Sequence, residues 1–136
     1  MQPHPLPWKT IWITGASSGI GRRLAIDLAG RGVTVAVSAR SVDTLAVLAD
    51  DHGNIRSYPL DVTDLAACRK TAEAIAADIG PIDLVIPAAG VWIIRDVESF
   101  RADDSTMAMR VNYEGAVNVI DAVLPAMRPV SYTHLT

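Results

Sequence analysis

Thr14-Gly15-Ala16-Ser17-Ser18-Gly19-Ile20-Gly21 is the stretch on which the fold turns. Before it, Lys9–Thr14 (KTIWIT) is apolar and β-branched and runs into Gly15, which predicts a buried strand. After it, Ile20, Leu24 and Leu28 recur at helical spacing until Gly30-Arg31-Gly32 stops the helix. A glycine-rich turn between a strand and a helix is where a dinucleotide places its pyrophosphate. Gly15 makes the tight turn, Gly19 leaves the backbone bare for the phosphates, and Gly21 lets the helix pack close to the sheet. The helix start adds unpaired N–H groups and a positive dipole end. Ser17 and Ser18 add hydroxyl donors. The spacing is Gly-x-x-x-Gly-x-Gly, not the general Gly-x-Gly-x-x-Gly. An ordinary strand-to-helix loop is the competing reading.

Working outward, strands and helices alternate. Val33–Ala39 reads as a second buried strand, and Ser41 as the cap of a helix carrying Val42, Leu45 and Leu48. Ile55–Leu60 is a short third strand. Asp64 opens the clearest helix, with Leu65, Cys68, Ala72, Ile75 and Ile79 on one face and Gly80-Pro81 at its end. Leu84–Ile86 is a fourth strand leading into Pro87-Ala88-Ala89-Gly90 and then a polar loop. A last helix, about Asp104 to Met127, places Val111, Gly115, Val119, Ala122 and Ala126 on one side. This order predicts an α/β Rossmann-type, doubly wound parallel sheet with right-handed crossovers, incomplete at about four strands.

Composition narrows the function. Half of the 136 residues are apolar and the net charge is −3, which gives no electrostatic case for a nucleic-acid or anionic-membrane partner. The single cysteine, Cys68, supports neither an internal disulfide nor a cysteine-rich metal site, and a buried inert thiol is expected. His4, His52 and His134 lie in a leader, a helix end and the tail, so no metal site is expected. No run reaches a membrane span, the prolines of MQPHPLPWKT break any signal peptide, and the cytoplasm is the expected location.

Thr14–Gly21 (TGASSGIG) resembles the cofactor motif of the short-chain dehydrogenase/reductase family in its common short branch. The resemblance covers nearly all of residues 9–128. It implies an alcohol dehydrogenase/carbonyl reductase type of chemistry on a nicotinamide dinucleotide and a small-molecule alcohol or carbonyl. A homo-oligomer is also implied, with the last helix at one interface. Asp61-Val62 resembles the family's Asp-Val segment, which implies that the Asp61 carboxylate accepts from the adenine amino group, helped by the Val62 backbone. Asp61 and Thr63 as simple helix caps is the alternative. Pro87-Ala88-Ala89-Gly90 stands where the family has Asn-Asn-Ala-Gly. Ala89 and Gly90 still let the adenosine ribose approach, with Ala88 beside them at the cofactor, but Pro87 and Ala88 replace two asparagines and their hydrogen bonds. Val111-Asn112 matches the family's active-site asparagine, whose side chain or backbone holds a water for the catalytic lysine. A polar residue on an exposed helix face is the alternative for Asn112.

Cofactor choice is read from the end of the second strand. An NAD site places an acid about 20 residues past the glycines to hold the ribose 2′-hydroxyl. Here the position holds Arg40, with Ser38 and Ser41 beside it. A guanidinium suits a 2′-phosphate, so NADP(H) is expected over NAD(H), against the alternative of a surface arginine.

The family's Ser and Tyr-x-x-x-Lys are absent. Tyr58, Tyr113 and Tyr132 are followed four residues later by Val62, Val117 and Thr136. The chain is expected to be the cofactor-binding half, inactive alone. Residues 1–129 are expected to be the amino-terminal part of the domain. Residues 130–136 (VSYTHLT) read as a translated transposon adaptor of the kind used in sequencing libraries, a non-native tail whose Tyr132 and His134 belong to no site. Without a following strand, Leu84–Ile86 would be an open apolar edge that promotes aggregation. Two alternatives stand: a non-catalytic dinucleotide sensor or regulatory module, and a fold-only relative with a blocked site. Ser plus Tyr-x-x-x-Lys downstream separates an enzyme from the sensor. Failure to bind either nucleotide marks the blocked relative.

Overall fold

The computed structural model describes residues 5–131. His4, His134 and residues 132–136 of the tail lie outside them. Four parallel strands, β1 (Thr10–Thr14), β2 (Thr34–Ser38), β3 (Ile55–Ser57) and β4 (Leu84–Pro87), form one sheet in the order β3-β2-β1-β4. Helices α1 (Gly19–Gly30), α2 (Val42–Asp51) and α3 (Leu65–Asp78) are the crossovers between successive strands. After β4 come α4 (Ala102–Met109), a π-helical turn (Arg110–Glu114) and α5 (Gly115–Ser131).

The sheet is doubly wound because β1 is apolar on both faces. Ile11 and Ile13 join Ala25 and Leu28 of α1 and Leu45 and Leu48 of α2 in one core. Trp12 faces the other way, into a second core with Cys68, Ala72 and Ile75 of α3 and Val119 and Val123 of α5. Every residue of β1 is buried. The Trp12 indole satisfies its one polar atom there: Nε1 donates to Ser38 Oγ at 2.9 Å. At the opposite end of the sheet, Asp83 Oδ2 accepts from the Lys9 and Thr10 amides at 2.8 and 3.0 Å, tying β1 to the start of β4. Asn54 Nδ2 donates to the Ala29 and Val33 carbonyls and fastens the end of α1 to the approach to β3.

Several elements differ from the sequence expectation. Ile20 lies outside the buried stripe of α1: it is 84% exposed, and Gly21, Ala25, Leu28 and Ala29 form the core face. The helix begins at Gly19, so Ile20 sits in its first turn, above the sheet edge. Ser41 is the residue before α2, but its hydroxyl bonds Thr44 Oγ1 at 2.7 Å and caps no backbone amide. β3 is short, yet the Tyr58 and Leu60 amides still donate to the Val37 and Ala39 carbonyls. Pro59 between them has no N–H to give. The last helix starts at Ala102 and is interrupted by the π turn, in which the Gly115 amide reaches back five residues to the Arg110 carbonyl. Beyond it Gly115, Val119 and Ala122 keep the expected face, while Val123 is buried in the core and Ala126 is exposed. Among the described residues no helix is long and apolar enough to cross a membrane.

Candidate functional site

The strand order reverses between β1 and β4: the chain leaves β1 toward β2 and β3, then crosses over to β4 on the other side. In open α/β sheets the crevice at the carboxyl end of such a switch point is where ligands bind. A cleft of about 560 Å³ lies there.

Its floor is built by glycines under tight constraint. Gly15 (φ +73°) turns the chain off β1, and its amide and that of Ala16 donate to the Ser38 carbonyl at 2.8 and 3.2 Å. A Cβ at Gly15 would strike the Ala88–Ala89 peptide, and one at Gly21 would strike the Gly15 carbonyl. Both glycines are therefore required by close backbone approach. Gly19 differs. Its φ is +57°, a Cβ there would meet nothing within 4 Å, and the residue lines the cleft. Ser18, just before α1, is extended and its hydroxyl makes no capping bond. The helix start is thus presented to the cleft without a side-chain cap.

The walls come from three further loops. Arg40 and Ser41 follow β2 and line the cleft, but Ser38 does not: its hydroxyl is buried under the sheet end against Trp12. Leu60, Asp61 and Val62 follow β3. Asp61 Oδ1 accepts from the Thr63 amide at 3.0 Å and the Thr63 hydroxyl at 2.7 Å. These bonds, with smaller contributions from Arg40 and Arg110, hold its carboxyl below the usual carboxylate range. Asp61 is not the helix cap. Asp64 takes that role, accepting from the Ala67 amide at 3.0 Å. Val62 packs against Gly115, whose missing Cβ lets the helix start press onto this loop. The Val62 carbonyl accepts from Asn118 Nδ2 at 2.9 Å.

After β4, Ala88, Ala89, Gly90 and Val91 close the cleft. Pro87 pairs in register with Thr14. The Thr14 hydroxyl is fully buried and has no hydrogen-bond partner among the described residues. Pro87 has no side-chain donor or acceptor to offer it.

Asn112 stands in the π turn and makes a reciprocal pair with Val91: the Val91 amide donates to Oδ1 at 2.7 Å and Nδ2 donates to the Val91 carbonyl at 3.0 Å. Its side chain is thereby committed to the loop after β4. Farther along that loop, Arg95 Nε meets Asp104 Oδ2 at 2.6 Å and anchors the segment to α4.

Every residue expected at the cofactor lines this one cleft: Gly15, Ser17, Ser18, Gly19, Ile20, Gly21, Arg40, Asp61, Val62, Ala88, Ala89 and Gly90. Asn112 lies next to it, through Val91. Sequence reasoning missed Ala39, Leu60, Val91 and Val111 as lining residues. Each adjoins a residue that was identified, so adjacency was the available signal. Among the described residues no group of three His, Cys, Asp or Glu is arranged to hold a metal ion. Cys68 is buried, its thiol pushed up to about 11, first by burial and then by Asp64 and Asp61.

The chain belongs to the short-chain dehydrogenase family, which its residues 9–132 match. An uncharacterized oxidoreductase of Mycobacterium bovis is 37% identical over 136 residues, covering 93% of this chain and 40% of the relative. The fatty acyl-CoA reductase of Acinetobacter baylyi is 38% identical over 125 residues, covering 88% of this chain and 42% of that protein. Among solved structures, a gluconate 5-dehydrogenase from Burkholderia cenocepacia, in complex with NADP and tartrate, superposes with a TM-score of 0.78. It is 32% identical, over 88% of this chain and 48% of that one. The chain thus spans well under two thirds of the length of these relatives, and its sheet is an incomplete Rossmann-type sheet.

Proposed function

We propose that this chain holds NADP(H) and is the cofactor-binding part of an oxidoreductase of the alcohol dehydrogenase/carbonyl reductase type. One observation carries the reading: residues from four separate loops converge on a single cleft at the switch point, around a helix start that no side chain caps. The open side of Gly19 fits a pyrophosphate against bare backbone, with Ser17 and Ser18 as hydroxyl donors. Arg40, with no acid at the end of β2, fits the 2′-phosphate. Asp61 and Val62 take the adenine edge, while Ala88, Ala89 and Gly90 leave room for the ribose. When bound, the nicotinamide supplies or accepts a hydride.

Asn112 contributes through its backbone carbonyl, since its amide group is held by Val91. Turnover needs a Ser and a Tyr-x-x-x-Lys that this chain does not carry, so the chain alone is inactive. Tyr58, for example, is bonded to Asp78 and its phenol is pushed up to about 12, by burial first and then by that carboxylate. On this reading residues 1–129 are the amino-terminal part of the domain and 130–136 a non-native tail, into which α5 and the family match run by two and three residues. The working location is the cytoplasm. The exposed stripe Tyr113, Val117, Ile120 and Leu124 along the last helix supports a homo-oligomer in the full-length protein.

The test is titration of NADPH and NADH into the full-length protein and its Arg40→Asp variant. NADPH should bind more tightly, and the variant should lose about tenfold or more, the size of a charge-assisted hydrogen bond. Tighter NADH binding by the unmutated protein overturns the cofactor choice. Binding of neither nucleotide overturns the whole reading. Nucleotide binding without turnover in a protein that also lacks the Tyr-x-x-x-Lys would favour a sensor.

A further inference from the structure

Beside the cleft lies a second groove of about 330 Å³ that shares Arg40, Asp61, Val91 and Val111 with it. Arg110 and Thr63 line only this second groove. Four charged side chains line it: Arg40 after β2, Asp61 after β3, Asp103 in α4 and Arg110 in the π turn. The turn is held against the Asp61-Val62 loop by Gly115, where a Cβ would come within 2.5 Å of Val62 Cγ2. Both guanidiniums act on the Asp61 carboxyl and favour its ionised form. Neither belongs to the described ion pairs, which are Arg23–Asp27, Arg69–Asp121 and Arg95–Asp104.

We propose that Arg110 is a positioning residue for the adenosine end of the cofactor, acting through Asp61. The inference rests on the cofactor reading above. A 2′-phosphate engages Arg40 and takes its charge away from Asp61. An adenine laid against Asp61 also strips water from that carboxylate, which raises the cost of keeping it ionised. Arg110 is then the cation left to add to the two Thr63 hydrogen bonds in offsetting that cost and holding the carboxylate as an acceptor for the ring's exocyclic amino group. No residue of the glycine-rich turn performs this task, and Arg110 lies outside every motif of the sequence.

The experiment compares the full-length protein with Arg110→Met and Arg110→Lys. The ligands are NADPH and its hypoxanthine analogue, in which a carbonyl replaces the amino group. The unmutated protein should prefer the adenine form. Arg110→Met should lose about fivefold in NADPH affinity, the scale of an exposed charge pair, with a much smaller loss for the analogue. Arg110→Lys should keep most of the preference. Equal losses for both ligands, or an unchanged adenine preference in Arg110→Met, overturns the inference. So does an unmutated protein that binds both ligands alike. If the unmutated protein binds neither ligand, the cofactor reading itself has failed. Should the methionine variant not fold, Arg110→Gln takes its place under the same criteria.

Discussion

Substituting Gly19 separates the demands of folding from those of binding. Gly19 and Gly32 both have positive φ, +57° and +86°, and a Cβ at either meets nothing within 4 Å. Alanine at each position therefore carries only the left-handed backbone penalty, about 1–2 kcal/mol. The two sites differ in what the new methyl faces. Gly32 lies in the turn between α1 and β2, where its amide donates to the Ala29 carbonyl at 3.0 Å. Gly19 opens into the cleft at the start of α1. A methyl there displaces a pyrophosphate from the helix amides. Losing one such hydrogen bond to a charged group costs about 1.5–3 kcal/mol, or about tenfold to a hundredfold in affinity. The assay is denaturant unfolding without ligand, paired with fluorescence titration of NADPH, on the full-length protein and both variants. Gly19→Ala and Gly32→Ala should lose similar stability, and only Gly19→Ala should lose affinity. Equal NADPH affinity in the two variants would refute the placement of the pyrophosphate at Gly19.

Three further outcomes are expected. Thr14→Val removes a buried hydroxyl without a partner and should raise stability by about 1 kcal/mol; a drop in the unfolding midpoint would show that the hydroxyl is satisfied. Tyr58 has its folded pKa raised to about 12 from 10.0, so its contribution is complete below pH 10 and is lost as pH climbs toward 12. Ultraviolet titration should show one late-ionising phenol that disappears in Tyr58→Phe; a lone transition near 10 would contradict the contact with Asp78. Among the described residues β4 pairs only with β1, and its residues Leu84, Val85 and Ile86 are half-buried. The 136-residue chain on its own should self-associate through this edge in size-exclusion chromatography, and a sharply melting monomer would count against it.

Local features were legible along the chain. Strand and helix identity follows from spacing within one segment, so KTIWIT, the α3 stripe of Cys68, Ala72 and Ile75, and the Asp64 cap could all be read directly. The glycine-rich turn was legible for the same reason: turn, bare backbone and helix start are consecutive residues. Arg40 and Asp61 could be placed because each closes a strand, and the carboxyl ends of parallel strands share one edge of the sheet. Packing settled what depends on segments far apart in the chain. Ile20 has helical spacing with Leu24, but the position of α1 over the sheet turns it to the cleft. Ser38 lies two residues before Arg40, yet it is the last residue of β2 and its hydroxyl is turned to Trp12. Asn112 is committed to Val91, Arg110 is brought to Asp61, and Thr14 is left without a partner beside Pro87. Each depends on a packed contact between elements, which periodicity within a single element does not encode.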